Sequence, residues 1–314
     1  MSKLHISSTP HIHQKGSSTR NIMLDVVIAM LPATIAGIVI FGISALWTVL
    51  TCVISAVVAE YVFNLCVGKK QTVGDLSAVV TGLLLALNVS TAVPLWQCVV
   101  GSVFAIVVVK CLFGGIGKNI VNPAITARVF MLLTFGAVGA VALPTVVEIT
   151  TGATPLAALN QGAEVAAAEA PSLMDLFLGL HGGAIGETCA VALLLGFVYL
   201  VVRKVIKWYV PVSFVATTFL CYFLFCGFDA YFALQHVLAG GLLLGAIFMA
   251  TDYVTTPNTG SGRVVFCIGA GLLTFAIRQF GMFPEGVSIA ILTMNLLTPF
   301  ICDFTKKKTL GGVR

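Results

Sequence analysis

Thr151-Gly152-Ala153-Thr154 places two hydroxyls around two of the smallest side chains. They lie in a segment, residues 144–183, that has four acids (Glu148, Glu164, Glu169 and Asp175) and no Lys or Arg. Long loops without structure of their own are often functional, which makes the two hydroxyls candidates for chemistry. Thr154 is also followed by Pro155, and a Thr-Pro pair suits a helix start, with threonine as N-cap and proline in the first turn. Both readings stand on the residues alone.

Few other residues qualify. The nine cysteines form no C-x-x-C pair and lie almost entirely in apolar runs. They read as small buried hydrophobes, although one or two could reach a metal held partly by a neighbouring protein. No metal-binding spacing is present. His11, His13 and His181 are expected in water, and His236 starts an apolar run without an evident partner. Asp25, Glu60, Asp75 and Asp303 sit close to the ends of apolar runs that the topology below places in the cytoplasm, where nearby lysines could pair with them. Glu187 and Asp252 also border apolar runs, and ionisable residues there are costly and usually functional.

The elements that must position these residues follow from composition. The 314-residue chain is 59% hydrophobic and 9% charged, whereas a soluble domain carries about 25% charged residues. An all-α integral membrane protein is expected, because only helices satisfy their own backbone while crossing roughly 30 Å of hydrocarbon as separate segments. Ten apolar stretches have the needed length: 23–41, 43–66, 76–93, 95–113, 123–143, 184–202, 209–227, 233–251, 264–280 and 286–303. The divisions at Gly42 and at Val93-Pro94 are tight. With the N-terminus inside, ten crossings put 16 of the 17 Lys and Arg on the cytoplasmic side, Arg278 being the exception. That is the positive-inside pattern, so the net charge of +5 is accounted for by topology and calls for no nucleic acid. The polar first twenty residues lack the layout of a cleaved signal peptide.

The chain also repeats. Gly82-Leu83-Leu84-Leu85-Ala86 resembles Gly241-Leu242-Leu243-Leu244-Gly245, 159 positions on, and Pro123 and Pro284 are 161 apart. Five spans per unit is an odd number, so the two halves must be inverted, with ligand or ion sites expected at their interface and at broken helices. Pro123 and Pro284 each follow a glycine-containing approach where a half-helix or re-entrant backbone is expected. Alternatively, each proline simply opens a helix. The expected organisation is a cytoplasmic segment 1–22, a five-helix repeat 23–143, an extracytoplasmic loop 144–183, a second repeat 184–303 and a basic cytoplasmic tail 304–314.

With "GGIGKNIVNPA" before the fifth span, "PEGVSIAILTMN" at the tenth and Thr151-Gly152-Ala153-Thr154 between the halves, the chain resembles the D-type membrane component of the bacterial Rnf complex, an ion-translocating ferredoxin:NAD oxidoreductase. It is also similar to the homologous B-type membrane component of the sodium-pumping NADH:quinone reductase. The likeness runs nearly full length. It implies FMN joined by a phosphoester to Thr154, with Thr151, Gly152 and Ala153 completing the motif and a flavin transferase needed for maturation. Gly152 and Ala153 would leave the hydroxyl accessible, and Leu156 could anchor the segment to a helix. Thr151 departs mildly from the Ser or Asp more usual there. The resemblance further implies a non-covalent riboflavin or similar flavin nearer the cytoplasm, at Asn119, Asn122 and Pro123. Asparagine offers both donors and acceptors to such a ring, but these amides could equally cap the fifth helix. Arg128 could pair with Asp75 or with a neighbouring protein of the complex.

Taken as a member of that family, the chain is expected to be a multi-pass protein of the bacterial cytoplasmic membrane. It would carry electrons between ferredoxin and NAD pathways with Na⁺ or H⁺ translocation, alongside the other Rnf complex subunits (A, B, C, E and G). No residue of its own is expected to be catalytic, since redox chemistry belongs to the cofactor. A passive channel or solute transporter of the same architecture would carry no flavin, and a structural scaffold would bind nothing.

Overall fold

The computed structural model describes residues 18–136, 144, 155–160, 171–281 and 285–306, and among these the regular structure is helical. The expected N-terminal segment and basic tail lie almost wholly outside the described residues, as does Pro284.

Helix α1 (Thr19–Phe41) begins at Ser18, whose hydroxyl accepts from the Asn21 amide at 3.3 Å. Leu24, Ile28, Leu31, Ile35 and Val39 recur at helical spacing on its exposed face, while Ala29, Met30, Ala33 and Gly37 are buried. Large apolar residues outside and small ones at the helix contacts are the pattern of a helix packed in lipid. Gly42 ends α1 at φ 73°, a left-handed conformation that favours glycine, and α2 (Ile43–Val67) starts at the next residue. The expected division at Gly42 is therefore present.

Each of the ten apolar stretches contains a helix. α3 spans Ser77–Leu87 and α4 spans Leu95–Val103, continuing as a π-helical stretch, Phe104–Cys111. α5 spans Pro123–Phe135. Between the halves come α6 (Pro155–Asn160) and α7 (Leu173–Leu178), followed by α8 (Ala190–Val202) and α9 (Tyr209–Phe225). α10 (Ala230–Leu238) bends by 67° into α11 (Leu242–Leu244), which runs on as a π stretch, Gly245–Met249. α12 (Gly260–Phe280) and α13 (Val287–Thr305) complete the described chain. α1, α2, α12 and α13 are each long and apolar enough to cross a membrane, and the bent α10–α11 pair makes a fifth such element. The protein is a multi-pass membrane protein, and the other helical stretches are shorter apolar pieces packed among these.

Two elements break inside stretches expected to span as single helices. α3 stops at Leu87, well short of the expected 93, and the chain then runs on without helix to Pro94. The Leu87 and Val89 carbonyls accept from the amides of Gly186 (2.8 Å) and Ile185 (3.2 Å). Asn88 folds back, its Nδ2 donating to the Leu84 carbonyl at 3.0 Å and lying 3.5 Å from Met249 Sδ. At the other break, the carbonyls of His236 and Ala239 accept from the Arg278 guanidinium at 2.7 and 3.2 Å.

Close packing around these breaks depends on glycine. A Cβ on Gly37 would lie 2.5 Å from Ile185 Cγ2 and 2.6 Å from the Ile185 oxygen. Gly37→Val should therefore lower the apparent Tm of the detergent-extracted protein, since overpacking costs about 1–3 kcal/mol. Val39→Leu, on the exposed stripe of the same helix, should leave Tm unchanged. Equal Tm values for both variants and the wild type would show that this contact does not constrain the fold.

Candidate functional site

The glycine-rich approach to α5 positions the expected amides. Gly114, Gly115 and Gly117 adopt φ of 113°, 92° and 87°, which only glycine takes up without strain, and the turns deliver Asn119 and Asn122 beside α5. Asn122 caps α5, its Oδ1 accepting from the Ala124 amide at 3.0 Å and the Ile125 amide at 3.4 Å, with Pro123 in the first turn. The capping reading is thus correct for Asn122. Asn119 differs: its Oδ1 is buried and has no partner among the described residues.

Asn119, Asn122 and Pro123 line one cavity of about 100 Å³, room for roughly seven to ten waters. Its walls come from both halves of the chain. Val26, Val80 and Leu84 face Leu200, Ile206 and Phe248, and polar groups enter from Ser77, Thr81, Lys110, Thr251 and Asp252. Apolar walls with a few converging polar atoms are the usual make-up of a small-molecule site.

A buried polar chain borders this cavity. Lys110, 2% exposed, donates from Nζ to Glu60 Oε2 at 2.9 Å and to Ser77 Oγ at 2.6 Å. Glu60 Oε1 in turn accepts from Thr72 Oγ1 at 2.6 Å, and Thr72 accepts from Asn64 Nδ2 at 3.0 Å. Asp75 accepts from the Ser77 hydroxyl and amide. Asp25 pairs with Arg203 at 3.2 Å and accepts from the Tyr199 hydroxyl at 3.0 Å.

Pairing with a nearby lysine holds for Glu60, with Lys110, and for Asp303, with Lys306. Other expectations need correction: Asp25 pairs with an arginine, and Asp75 accepts from a serine. Arg128 pairs with Glu285, not with Asp75. His181 is 2% exposed, buried where a solvated ring was expected. His236 does have a partner, stacking on Tyr222 with ring centroids 3.9 Å apart. A lysine and a glutamate each set inside an apolar run were the available signal that Lys110 and Glu60 are buried, though not that they meet; hydropathy alone gives none for His181.

Thr151, Gly152, Ala153 and Thr154 lie outside the described residues. Helix α6 opens at Pro155, as the Thr-Pro pair suggests. Leu156 is buried and packs in one cluster with Leu159, Leu176 and Ala239, which ties the segment after Thr154 to the break between α10 and α11. All nine cysteines are free, and among the described residues no three His, Cys, Asp or Glu side chains converge as a metal site.

The NQR2, RnfD, RnfE family matches residues 5–311. A protein of Acetobacterium woodii, named as the D-type component of a Na(+)-translocating ferredoxin:NAD(+) oxidoreductase complex, is 45% identical, over 98% of this chain and 95% of its own. A Clostridium ljungdahlii protein, named as the D-type component of a proton-translocating ferredoxin:NAD(+) oxidoreductase complex, is 39% identical over 98% and 96%. In Stutzerimonas stutzeri, a protein named as the D-type component of an ion-translocating oxidoreductase complex is 37% identical over 94% and 93%.

The Lys110–Glu60 pair yields a stability prediction. Lys110→Met alone strands a buried carboxylate and should cost about 3–5 kcal/mol, read as a fall in detergent Tm. Adding Glu60→Leu should restore most of it, since replacing a whole buried pair by apolar groups is often neutral. A double variant no more stable than the single one would refute this account of the pair.

Proposed function

Because the chain belongs to the NQR2, RnfD, RnfE family, we infer that it works as a flavin-carrying membrane subunit of an ion-translocating ferredoxin:NAD oxidoreductase complex, passing electrons across the membrane with translocation of Na⁺ or H⁺. The observation that carries the internal flavin site is the cavity itself. It is apolar-walled, and the unpartnered Asn119 Oδ1 is buried beside it. A ring N–H or a ribityl hydroxyl would supply the donor that Asn119 lacks. Asn122 serves by fixing the start of α5, and Pro123 forms part of the wall. Lys110, already bound to Glu60 and Ser77, would present a fixed positive charge at the edge of the site.

Thr154 is the proposed carrier of FMN through a phosphoester on its hydroxyl, installed by a flavin transferase. Two features support it: the Thr151-Gly152-Ala153-Thr154 motif, and the anchoring of the next two residues, Pro155 and Leu156, in the protein. When bound, flavins supply reversible one- and two-electron transfer. The chain's residues hold and orient them and keep water from the inner site. Ten crossings in two inverted halves, with both termini and the basic ends cytoplasmic and the Thr154 loop outside, complete the reading. The other proteins of the Rnf complex would supply the carriers before and after this one.

Intact mass of the protein co-expressed with its transferase should show one added FMN, absent from Thr154→Ala. An unmodified wild type would instead favour a channel without flavin. Asn119→Leu should reduce the acid-extractable, non-covalent flavin several-fold, as losing one hydrogen bond of about 1 kcal/mol implies, while the covalent FMN stays. Unchanged extractable flavin would remove Asn119 from the site.

A further inference from the structure

Glu187 is buried, 4% exposed, in the turn before α8. Its Oε1 accepts from the Ala184 amide at 2.9 Å, and it forms no ion pair within 4 Å among the described residues. One amide donor is poor compensation for a desolvated carboxylate. Arg128 and Arg278 act on it only at longer range, and Arg128 is already paired with Glu285.

Two small cavities, each of about 10 Å³, meet at this side chain. That is close to the space of a single water. The first borders Pro155, His181, Gly182, Gly183 and Gly240, and the second borders Asn88, Ser288, the apolar Met249 and Val287, and Arg128, whose charge is matched by Glu285; Glu187 and Glu285 belong to both. The first borders the segment that follows Thr154, and the second reaches the tips of the broken helices. Into the first faces a further incomplete group. His181 Nδ1 lies 3.0 Å from the Gly182 oxygen, while its buried Nε2 has no partner among the described residues. A carboxylate short of partners, with a water-sized space on either side of it, is suited to a small cation, which would complete that carboxylate's shell.

We propose that Glu187 binds a monovalent cation, Na⁺ or a hydronium ion, at a relay position between the Thr154 loop and the broken centre of the protein. The proposal rests on the redox reading above and assigns to it a place on the ion path. Glu285 is held by Arg128, so Glu187 is the carboxylate available to the ion. The turns at 182–183 and 240–241 border the same two spaces.

The test uses the whole complex in sealed vesicles driven by reduced ferredoxin and NAD⁺. It follows ²²Na⁺ uptake in one arm and proton uptake in sodium-free buffer in the other, each per electron transferred, with flavin content measured in parallel. Whichever ion the wild type moves, Glu187→Gln should reduce its yield per electron at least tenfold with flavin content unchanged. Glu187→Asp should transport, but with an apparent ion affinity at least threefold weaker. Should Glu187→Gln fail to assemble, Gly241→Ala decides. Its Cβ would lie 2.8 Å from Glu187 Oε2, crowding the ion's space without altering any charge, and it should show the same loss. Wild-type yield and concentration dependence in Glu187→Gln, or in Gly241→Ala where that variant decides, would overturn the proposal. Wild-type complex without flavin on Thr154 would strike the redox reading instead, and would show before any variant is compared.

Discussion

A helix that breaks inside hydrocarbon leaves carbonyls and amides with no water to bind, at several kcal/mol for each group left unpaired. Among the described residues two apolar helices break, after Leu87 and at 239–241, and each break is closed from a different part of the chain. The Ile185 and Gly186 amides bind the carbonyls beyond α3, and one arginine, Arg278, binds those of α10. Much of the interior follows from this requirement. Ile185 and Gly186 must thread between α1 and α3, and Gly37 and Gly186 leave the space. A Cβ on Gly186 would lie 2.5 Å from that of Leu87. The turn before α8, which carries Glu187, is therefore held as a structural strut before it can be anything else.

The buried charges divide according to what they serve. Arg278 is spent on backbone carbonyls and so belongs to the fold. Lys110 and Arg128 are each matched by a carboxylate from a distant part of the sequence. Buried pairs of that kind rarely stabilise a protein more than apolar residues of the same volume would. Their presence is better accounted for by place: Lys110 stands at the wall of the larger cavity, and Arg128 at the smaller ones between the broken helices. Under the proposed function, the first contributes a fixed charge beside a bound flavin, and the second holds Glu285 in place next to Glu187.

Much of this was legible in the sequence, for reasons that can be separated. Composition identified a membrane protein, and Gly42, Asn122-Pro123 and Thr154-Pro155 marked element ends, because glycine, asparagine and proline act through local backbone geometry. Leu156 was legible as an anchor because an apolar side chain beside a polar motif favours burial, although its partners Leu176 and Ala239 lie elsewhere in the chain. The stop of α3 at Leu87 was hidden. Averaged hydropathy carried the span on to Val93, although Asn88, Ser90 and Thr91 lie within it and the buried turns there are held by the Ile185 and Gly186 amides. Partners were hidden too: nothing near Glu60 in the chain points to Lys110, nor near Arg128 to Glu285, since these meetings are products of the tertiary fold. His181 was misread because a loop position suggests water, whereas this loop folds back into the protein. Thr151 to Thr154 lie outside the described residues, so the proposed covalent site rests on the motif.

The placement of the cavities bears on how redox change and ion movement could be linked. Asn88, at the end of α3, touches Met249, at the end of the π stretch after α11. The α3 side of this contact leads through Leu84 and Thr81 to the larger cavity. The smaller cavities open on Asn88 and Met249 as well, and extend toward Pro155. One set of broken helices thus borders both the proposed inner flavin site and the proposed ion relay. A bound flavin that changes charge acts electrostatically on whatever lies across a low-dielectric gap. An ion crossing the same region needs oxygen atoms where helices normally offer none. The carbonyls at the breaks are bound by the Ile185 and Gly186 amides and by Arg278, so under the proposed function the oxygens an ion meets there are those of side chains, Glu187 first among them.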